Sequence, residues 1–521
     1  MLRRNSIPVA VAALLLLVPP AAAEDVVALY QQNCAACHGA DRLGGTGPAL
    51  LPENLQRLRE ADAAKVIGSG RTATQMPAFG EQISAADIDA LVKLIYAPLP
   101  QTPAWGTAEI EASRITVTRA ADLPASPTYS ADPLNLFVVV EGGDHHVSIL
   151  DGDRFESLAR FPSRYALHGG PKFTPDGRFV YFASRDGWIA KYDLYGLKTV
   201  AEVRAGINTR NIAISGDGRV LAVANYLPHS LVILDAGDLR PLKVIDVTDF
   251  RGKVSSRVSA VYQAPKRQSF VVALKDVPEL WEVSYAKEPP AQFGEFVHSF
   301  EQGMVEGVTA AAEPFPIRRT ELTEPLDDFY FTPDYGYLLG SSRDGGRAIV
   351  VNLDVRHEIA ELPIPGLPHL GSGISWIRDG RRVMATPNLK EGKVSIIDTQ
   401  SWKVLKTVDL PGPGFFMRSH ENTPFAWVDA SLGETKDTLY LIDKQSLEIA
   451  ATLTPWPGKT ANHVEFTRDG RFALVSVADG DGALVIYDTA TLKEVKRIPM
   501  AKPVGKYNVY NKTRFSEGTS H

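Results

Sequence analysis

Cysteine is almost missing from this chain. Only Cys34 and Cys37 occur in 521 residues, which excludes a disulfide framework and confines all thiol chemistry to one short window. Long apolar runs are equally scarce. The one near the start, Pro8 to Val18, ends at Pro19-Pro20 and is about half the ~20 residues a membrane span needs, so no membrane span is expected in the mature protein. Cationic excess is absent too: the net charge is −6, which argues against nucleic acid as the main partner. At 44% hydrophobic residues the chain is neither disordered nor collagen-like. Turn chemistry is what abounds, with 42 Gly and 36 Pro, and it points to many short elements rather than long helices.

The apolar run has a purpose. Arg3 and Arg4 precede it and Ala21-Ala22-Ala23 follows it, the pattern of a secretory signal peptide with an A-x-A cleavage site. Residues 1–23 are therefore expected to be removed on export, and the mature protein to work in the periplasm.

Cys34-Ala-Ala-Cys37-His38 reads as C-x-x-C-H, in which two thiols attach a c-type heme and the histidine ligates its iron. A thioredoxin-like dithiol would call for a preceding strand, and a zinc site for two more soft ligands; neither is supplied. Apolar spacing predicts helices over 25–33 and 83–96, and Met76, in the loop Gln75-Met76-Pro77, is the expected second axial ligand. Residues 24–97 thus form a cytochrome c domain, and Pro98, Pro100 and Pro103 open a linker over 98–125.

From 126 to 521 one unit recurs: a D-G or similar turn, an apolar strand, a loop, and a second strand ending in Asp. It runs from Asp176 to Asp193, Asp217 to Asp235, Asp334 to Asp354, Asp379 to Asp398 and Asp469 to Asp488. Weaker copies lie at 134–151, 267–283 and 424–443. Spacing of roughly 41 to 49 residues is that of four-stranded propeller blades. The expected fold is therefore a small all-α cytochrome c domain followed by an all-β eight-bladed propeller, with residues 286–326 as an insertion or long connection. His168, His369, His420 and His463 each stand beside turn signals near a blade strand, and loops on one rim converge on the propeller axis.

The C-A-x-C-H-G and M-P-x-x-G motifs, the eight repeats and the tail Gly505-Lys-Tyr-Asn-Val-Tyr-Asn511 together resemble the cytochrome cd1 superfamily over essentially the whole mature chain. The resemblance implies that the propeller binds heme d1. Tyr165-Ala-Leu-His168 matches the segment of the proximal iron ligand, while Pro368-His369 and Ser419-His420 match the two distal histidines. Arg185, Arg210, Tyr226 and Arg257 match positions lining the macrocycle and its acidic substituents, where guanidinium groups suit carboxylates.

Within the superfamily the chain is most similar to the dihydro-heme d1 dehydrogenases. Only ten residues separate the cleavage site from Cys34, whereas the nitrite reductases of the superfamily have a longer arm. His463 adds a base that the reductase pattern lacks, and the segment after the second distal histidine is short. The resemblance implies oxidation of a propionate of dihydro-heme d1 to an acrylate, with electrons passing through the d1 iron to heme c and on to a periplasmic acceptor. His168 and His369 would hold the iron. His463 and Tyr507 would handle the protons, and His420 is an alternate ligand, carboxylate partner or base. Reduction of nitrite to nitric oxide is the alternative reading, and a non-catalytic heme d1 carrier, handing the product to a cytochrome cd1 nitrite reductase, is the third.

Overall fold

A computed structural model describes residues 25–520 apart from 57, 71–75, 102, 289–312 and 342–345. The expected signal peptide lies outside the described residues. Among these residues no helix is long and apolar enough to cross a membrane.

Five helices build the first unit, at Val26–Asn33, Ala35–His38, Pro52–Leu55, Glu60–Ser69 and Ala85–Tyr96. Asp25 caps the first by accepting from Val27 N, and Ser84 caps the last by accepting from Asp87 N. Ile88, Leu91, Val92 and Ile95 form the buried stripe of Ala85–Tyr96. They pack on Leu29, Tyr30 and Ile67, and each large aliphatic side chain so buried contributes about 1.5–3 kcal/mol.

The remainder forms eight sheets arranged as propeller blades. The recurrent turn has a local cause. In Thr174-Pro-Asp176-Gly177 and Ser215-Gly-Asp217-Gly218 the Asp accepts a hydrogen bond from the hydroxyl two residues earlier, and the glycine takes φ of 76° and 71°, a left-handed conformation that other residues adopt at a cost. Apolar strands then follow on both sides of each turn. Closure of the ring is non-local. Strand 503–508 returns to pair antiparallel with Phe137–Glu141, Val138 opposite Tyr507 and Val139 opposite Lys506, and so becomes the inner strand of the first blade.

Two expectations are corrected by the structure. The linker is folded against the propeller: Thr107–Ala112 is a helix with Ile110 fully buried, and Ile115–Thr116 extends the second blade by pairing with Glu202 and Ala201. The expected insertion 286–326 contains a blade strand, Ile317–Glu321, which pairs with Glu279–Ser284 as the outer strand of the fourth blade. Its low apolar content hid it.

The helical unit docks on the third blade. Ala49 and Leu51 pack against Ile207 and Leu227, Asn54 Nδ2 donates to Ile207 O at 3.2 Å and Asn208 Nδ2 donates to Glu53 O at 3.2 Å. Because the closing strand is the only partner of the inner edge of Phe137–Glu141, deleting residues 503–514 should abolish cooperative unfolding of the propeller in thermal melts. A deletion variant that melts like the parent would contradict this role.

Candidate functional site

Three of the histidines expected to ligate iron share one hydrogen-bond pattern, which His146 also shows against Asp144 O. A carbonyl oxygen only accepts, so an imidazole nitrogen bonded to one carries the proton and its other nitrogen keeps a lone pair. Nδ1 of His38 donates to Pro48 O at 2.8 Å, Nδ1 of His168 to Arg210 O at 2.6 Å, and Nδ1 of His369 to Phe415 O at 2.6 Å. In each the carbonyl fixes the ring so that Nε2 is the nitrogen able to ligate a metal, and in His168 that Nε2 is engaged by two guanidinium groups.

His38 belongs to the helical unit. Its imidazole is buried, and burial lowers its pKa, so it stays neutral. A Cβ on Gly47 would lie 2.9 Å from His38 Cε1; only glycine leaves room for the ring there. Cys34 and Met76 face the same apolar cluster, and Cys34, Cys37 and His38 follow one another on a helix. This donor set, two thiols, one Nε2 and one thioether around an apolar wall, fits a covalently attached heme.

The other two line a cavity of about 760 Å³ at the axial end of the propeller, within the range of cofactor sites. His168 precedes the inner strand of the second blade and His369 that of the sixth, so they stand on opposite sides of an eight-membered ring. His168 Nε2 accepts from Arg185 Nη2 at 2.8 Å and from Arg210 Nη1 at 3.1 Å. His369 packs against Phe415, ring centroids 4.6 Å apart. That phenylalanine is held in turn by the buried carboxylate of Asp429, which accepts from Phe415 N at 2.7 Å and Phe416 N at 3.0 Å.

His463 and Tyr507 also line this cavity, side by side on the eighth and first blades with ring centroids 5.0 Å apart. Burial pushes the Tyr507 phenol up to about 12. Burial and the cations Lys506, Arg418 and Lys512 hold His463 well below the usual imidazole range.

The remaining expected residues are placed differently. His420 is not in the cavity wall. The inner strand of the seventh blade is only Met417–Arg418, so His420 follows it and falls at the opposite end of the blade. There it accepts from Asn422 N at 3.1 Å and lies under Gly470, 1% exposed. Arg257 makes a bidentate ion pair with Asp276 and sits 5.5 Å from the Tyr226 ring; neither Arg257 nor Tyr226 is in the cavity lining, nor is Arg185, which reaches it through His168. Sequence reasoning missed Arg418 and Lys506, 3% and 0% exposed. Arg418 lines the cavity, 3.9 Å from Glu465. Their signal was a charged residue inside an inner strand.

The model of the cytochrome D1 heme domain matches residues 131–302 and 295–512. The chain belongs to that family. A second model, cytochrome C oxidase, cbb3-type, subunit III, matches residues 21–95. Among relatives of the family, the dihydro-heme d1 dehydrogenase of Pseudomonas aeruginosa is 58% identical over 494 residues, 95% of each chain. A solved structure of dihydro-heme d1 dehydrogenase NirN in complex with DHE superposes with a TM-score of 0.87, covering 93% of this chain and 99% of that one. The nitrite reductase of Stutzerimonas stutzeri is 24% identical over 547 residues, covering 93% and 92%.

The buried, neutral His463 makes stability depend on pH. Its unfolded counterpart takes a proton near pH 6.5 while the folded one does not, so its stabilising contribution is full above that pH and is lost as pH falls toward its lowered folded pKa. The loss approaches about 1.4 kcal/mol per pH unit for one proton. Denaturant unfolding of the propeller between pH 7.5 and 5.5 should show a shallower decline in His463→Asn than in the parent. Parallel curves would contradict a neutral buried imidazole.

Proposed function

We propose that this chain is a periplasmic dihydro-heme d1 dehydrogenase that converts a propionate of dihydro-heme d1 to the acrylate of heme d1. The observation that carries the reading is the pair His168 and His369 on opposite blades of one cavity, each with Nδ1 held by a carbonyl so that Nε2 is the ligating nitrogen; Arg185 and Arg210, which engage His168 Nε2, would give it up to iron. A planar tetrapyrrole with iron at its centre is the ligand that two such imidazoles select. Were both imidazoles to hold the iron, no position would remain for nitrite, which disfavours the reductase reading. Identity of 58% over nearly the whole length of a protein named for this activity supports it independently.

The reaction removes two protons and two electrons from adjacent carbons. Arg210 and Arg418 line the cavity with fixed positive charge for the acidic substituents of the substrate. Their guanidinium groups also exclude a cationic macrocycle. Tyr507 and His463 form a polar pair in the cavity wall, and the phenol, held protonated at neutral pH, would relay a proton without becoming an anion. Cys34, Cys37 and His38 would hold heme c, which would supply one-electron transfer to a periplasmic acceptor. Docking of Leu51 and Asn54 on Ile207 places the helical unit at the base of the strand that carries Arg210. A pure carrier of heme d1 has no use for this relay.

Anaerobic loading with dihydro-heme d1, followed by optical spectra and mass, should show loss of two hydrogens when an oxidised acceptor is present. Rapid nitrite reduction with the substrate left unchanged would overturn the reading. A Cys34→Ala/Cys37→Ala variant should bind dihydro-heme d1 with parental affinity but lose turnover; parental turnover would instead remove heme c from the path. Tyr507→Phe should bind equally and convert about 10²-fold or more slowly, whereas an unchanged rate would make Tyr507 a packing residue.

A further inference from the structure

His463 shows the reverse of the pattern shared by His38, His168 and His369. Its Nδ1 is met by a backbone N–H, that of Lys506 at 3.4 Å. A peptide N–H only donates, so Nδ1 is the acceptor and the proton of the neutral ring resides on Nε2. The partner is part of the ring-closing strand and cannot turn away, because Gly505 and Lys506 are paired with Val140 and Val139. Lys506 is itself immobilised: its Nζ donates to His463 O and to Ser476 Oγ, the latter at 2.9 Å. Rotation of the imidazole is blocked on two sides, by Phe416 with centroids 4.6 Å apart and by Tyr507 at 5.0 Å. The backbone is committed as well, with φ of 45° at His463 and a register break between Asn462 and Val464.

Resting on the dehydrogenase reading above, we propose that His463 serves the reaction as a neutral hydrogen-bond donor, its Nε2–H aimed at the carboxylate of the reacting side chain, and does not accept the proton that leaves carbon. A proton could enter this ring only at Nδ1, where it would face the Lys506 N–H head on. Burial and the basic groups around it oppose a charge on the ring. Lys506 comes from the closing strand, Arg418 from the seventh blade and Lys512 from the helix Val509–Arg514; all three are buried and disfavour a charged ring, burial holds both lysines well below the usual ammonium range, and the carbonyl of His463 itself acts in the opposite sense. Glu465 on the strand of His463 and Asp429 on the seventh blade are the acids nearby, and both are engaged, Glu465 with Asn511 Nδ2 at 3.0 Å and Asp429 with Phe415 and Phe416.

The donor role matches where charge develops. Loss of a proton from the carbon next to a carboxylate shifts negative charge onto the carboxylate oxygens, and a fixed neutral donor stabilises that charge without reorganising. The overall balance is unchanged, with two protons and two electrons leaving the side chain and the electrons going to heme c and its acceptor. The proton leaving that carbon would pass to a wall carboxylate, and the second, from the adjacent carbon, to solvent by way of the Tyr507 hydroxyl. Asp479 lines the cavity and accepts from Thr460 N at 2.7 Å, beside the strand of His463.

Glutamine separates the two roles, since its amide places an N–H where the imidazole has Nε2–H and offers no basic nitrogen. His463→Gln should convert dihydro-heme d1 within about tenfold of the parent, while His463→Ala falls by about 10²–10³, the loss expected for one such donor. Both variants should bind the substrate with the parental spectrum. A fall in His463→Gln as deep as in His463→Ala would overturn the proposal. Independently of turnover, ¹⁵N spectra of histidine-labelled protein, assigned by the resonance missing in either variant, should show an Nε2–H neutral ring for His463 down to pH 5.5. An Nδ1–H or cationic ring there would overturn it too. Absence of conversion by the parent itself would strike the dehydrogenase reading, an outcome that the ¹⁵N spectra distinguish.

Discussion

The pairing of strand 503–508 with Phe137–Glu141 is the contact on which the rest of the molecule depends. Seven blades draw all four principal strands from consecutive chain, but the first has three until the far end of the chain returns. Hydrogen-bonding groups on Phe137–Glu141 would otherwise be an open sheet edge at the axis. The same strand carries Lys506 and Tyr507, and Asn508 Nδ2 donates to Asn135 Oδ1 at 3.1 Å. Ring closure and assembly of the cavity wall are therefore one event.

Within that wall, backbone polarity assigns chemistry to side chains of one type. Histidines that meet a carbonyl at Nδ1 present a lone pair, and the one that meets an amide N–H presents a proton. Charge follows the same division. His168 faces two guanidinium groups, while His463 sits among three buried basic side chains, two from the blades and one from the C-terminal helix. Burying Lys506 and Arg418 is costly unless they are compensated, and Glu465 is the acid between them and the C-terminal helix, joined to it through Asn511.

Much of this was legible in the sequence. C-x-x-C-H and the D-G repeat are local signals, each tied to a turn or an attachment that a few adjacent residues specify. His168 and His369 were legible because a long loop leads into each following inner strand. His420 was misplaced because its inner strand is two residues long, so a histidine after the strand reads like one before it. The Ile317–Glu321 strand was hidden by Arg318 and Arg319, whose ion pairs with Glu282 and Glu279 replace the apolar alternation of a core strand. Arg257 looked like a ligand-binding cation, but Asp276 nineteen residues later already neutralises it. The tautomer of His463 depends on a backbone group 43 residues away, a relation that no local pattern encodes.

The helical unit and the cavity meet through one strand, Asn208–Ile214, which receives Glu53 and Asn54 at its start and carries Arg210 to His168 two residues on. The central claim is that electrons withdrawn from the ligand in the cavity leave through that unit. Anaerobic rapid mixing of the oxidised protein with dihydro-heme d1, following the heme c absorption bands alongside the macrocycle bands, tests it most directly. The account predicts that heme c becomes ferrous in step with the appearance of heme d1. Formation of heme d1 while heme c stays ferric would contradict it.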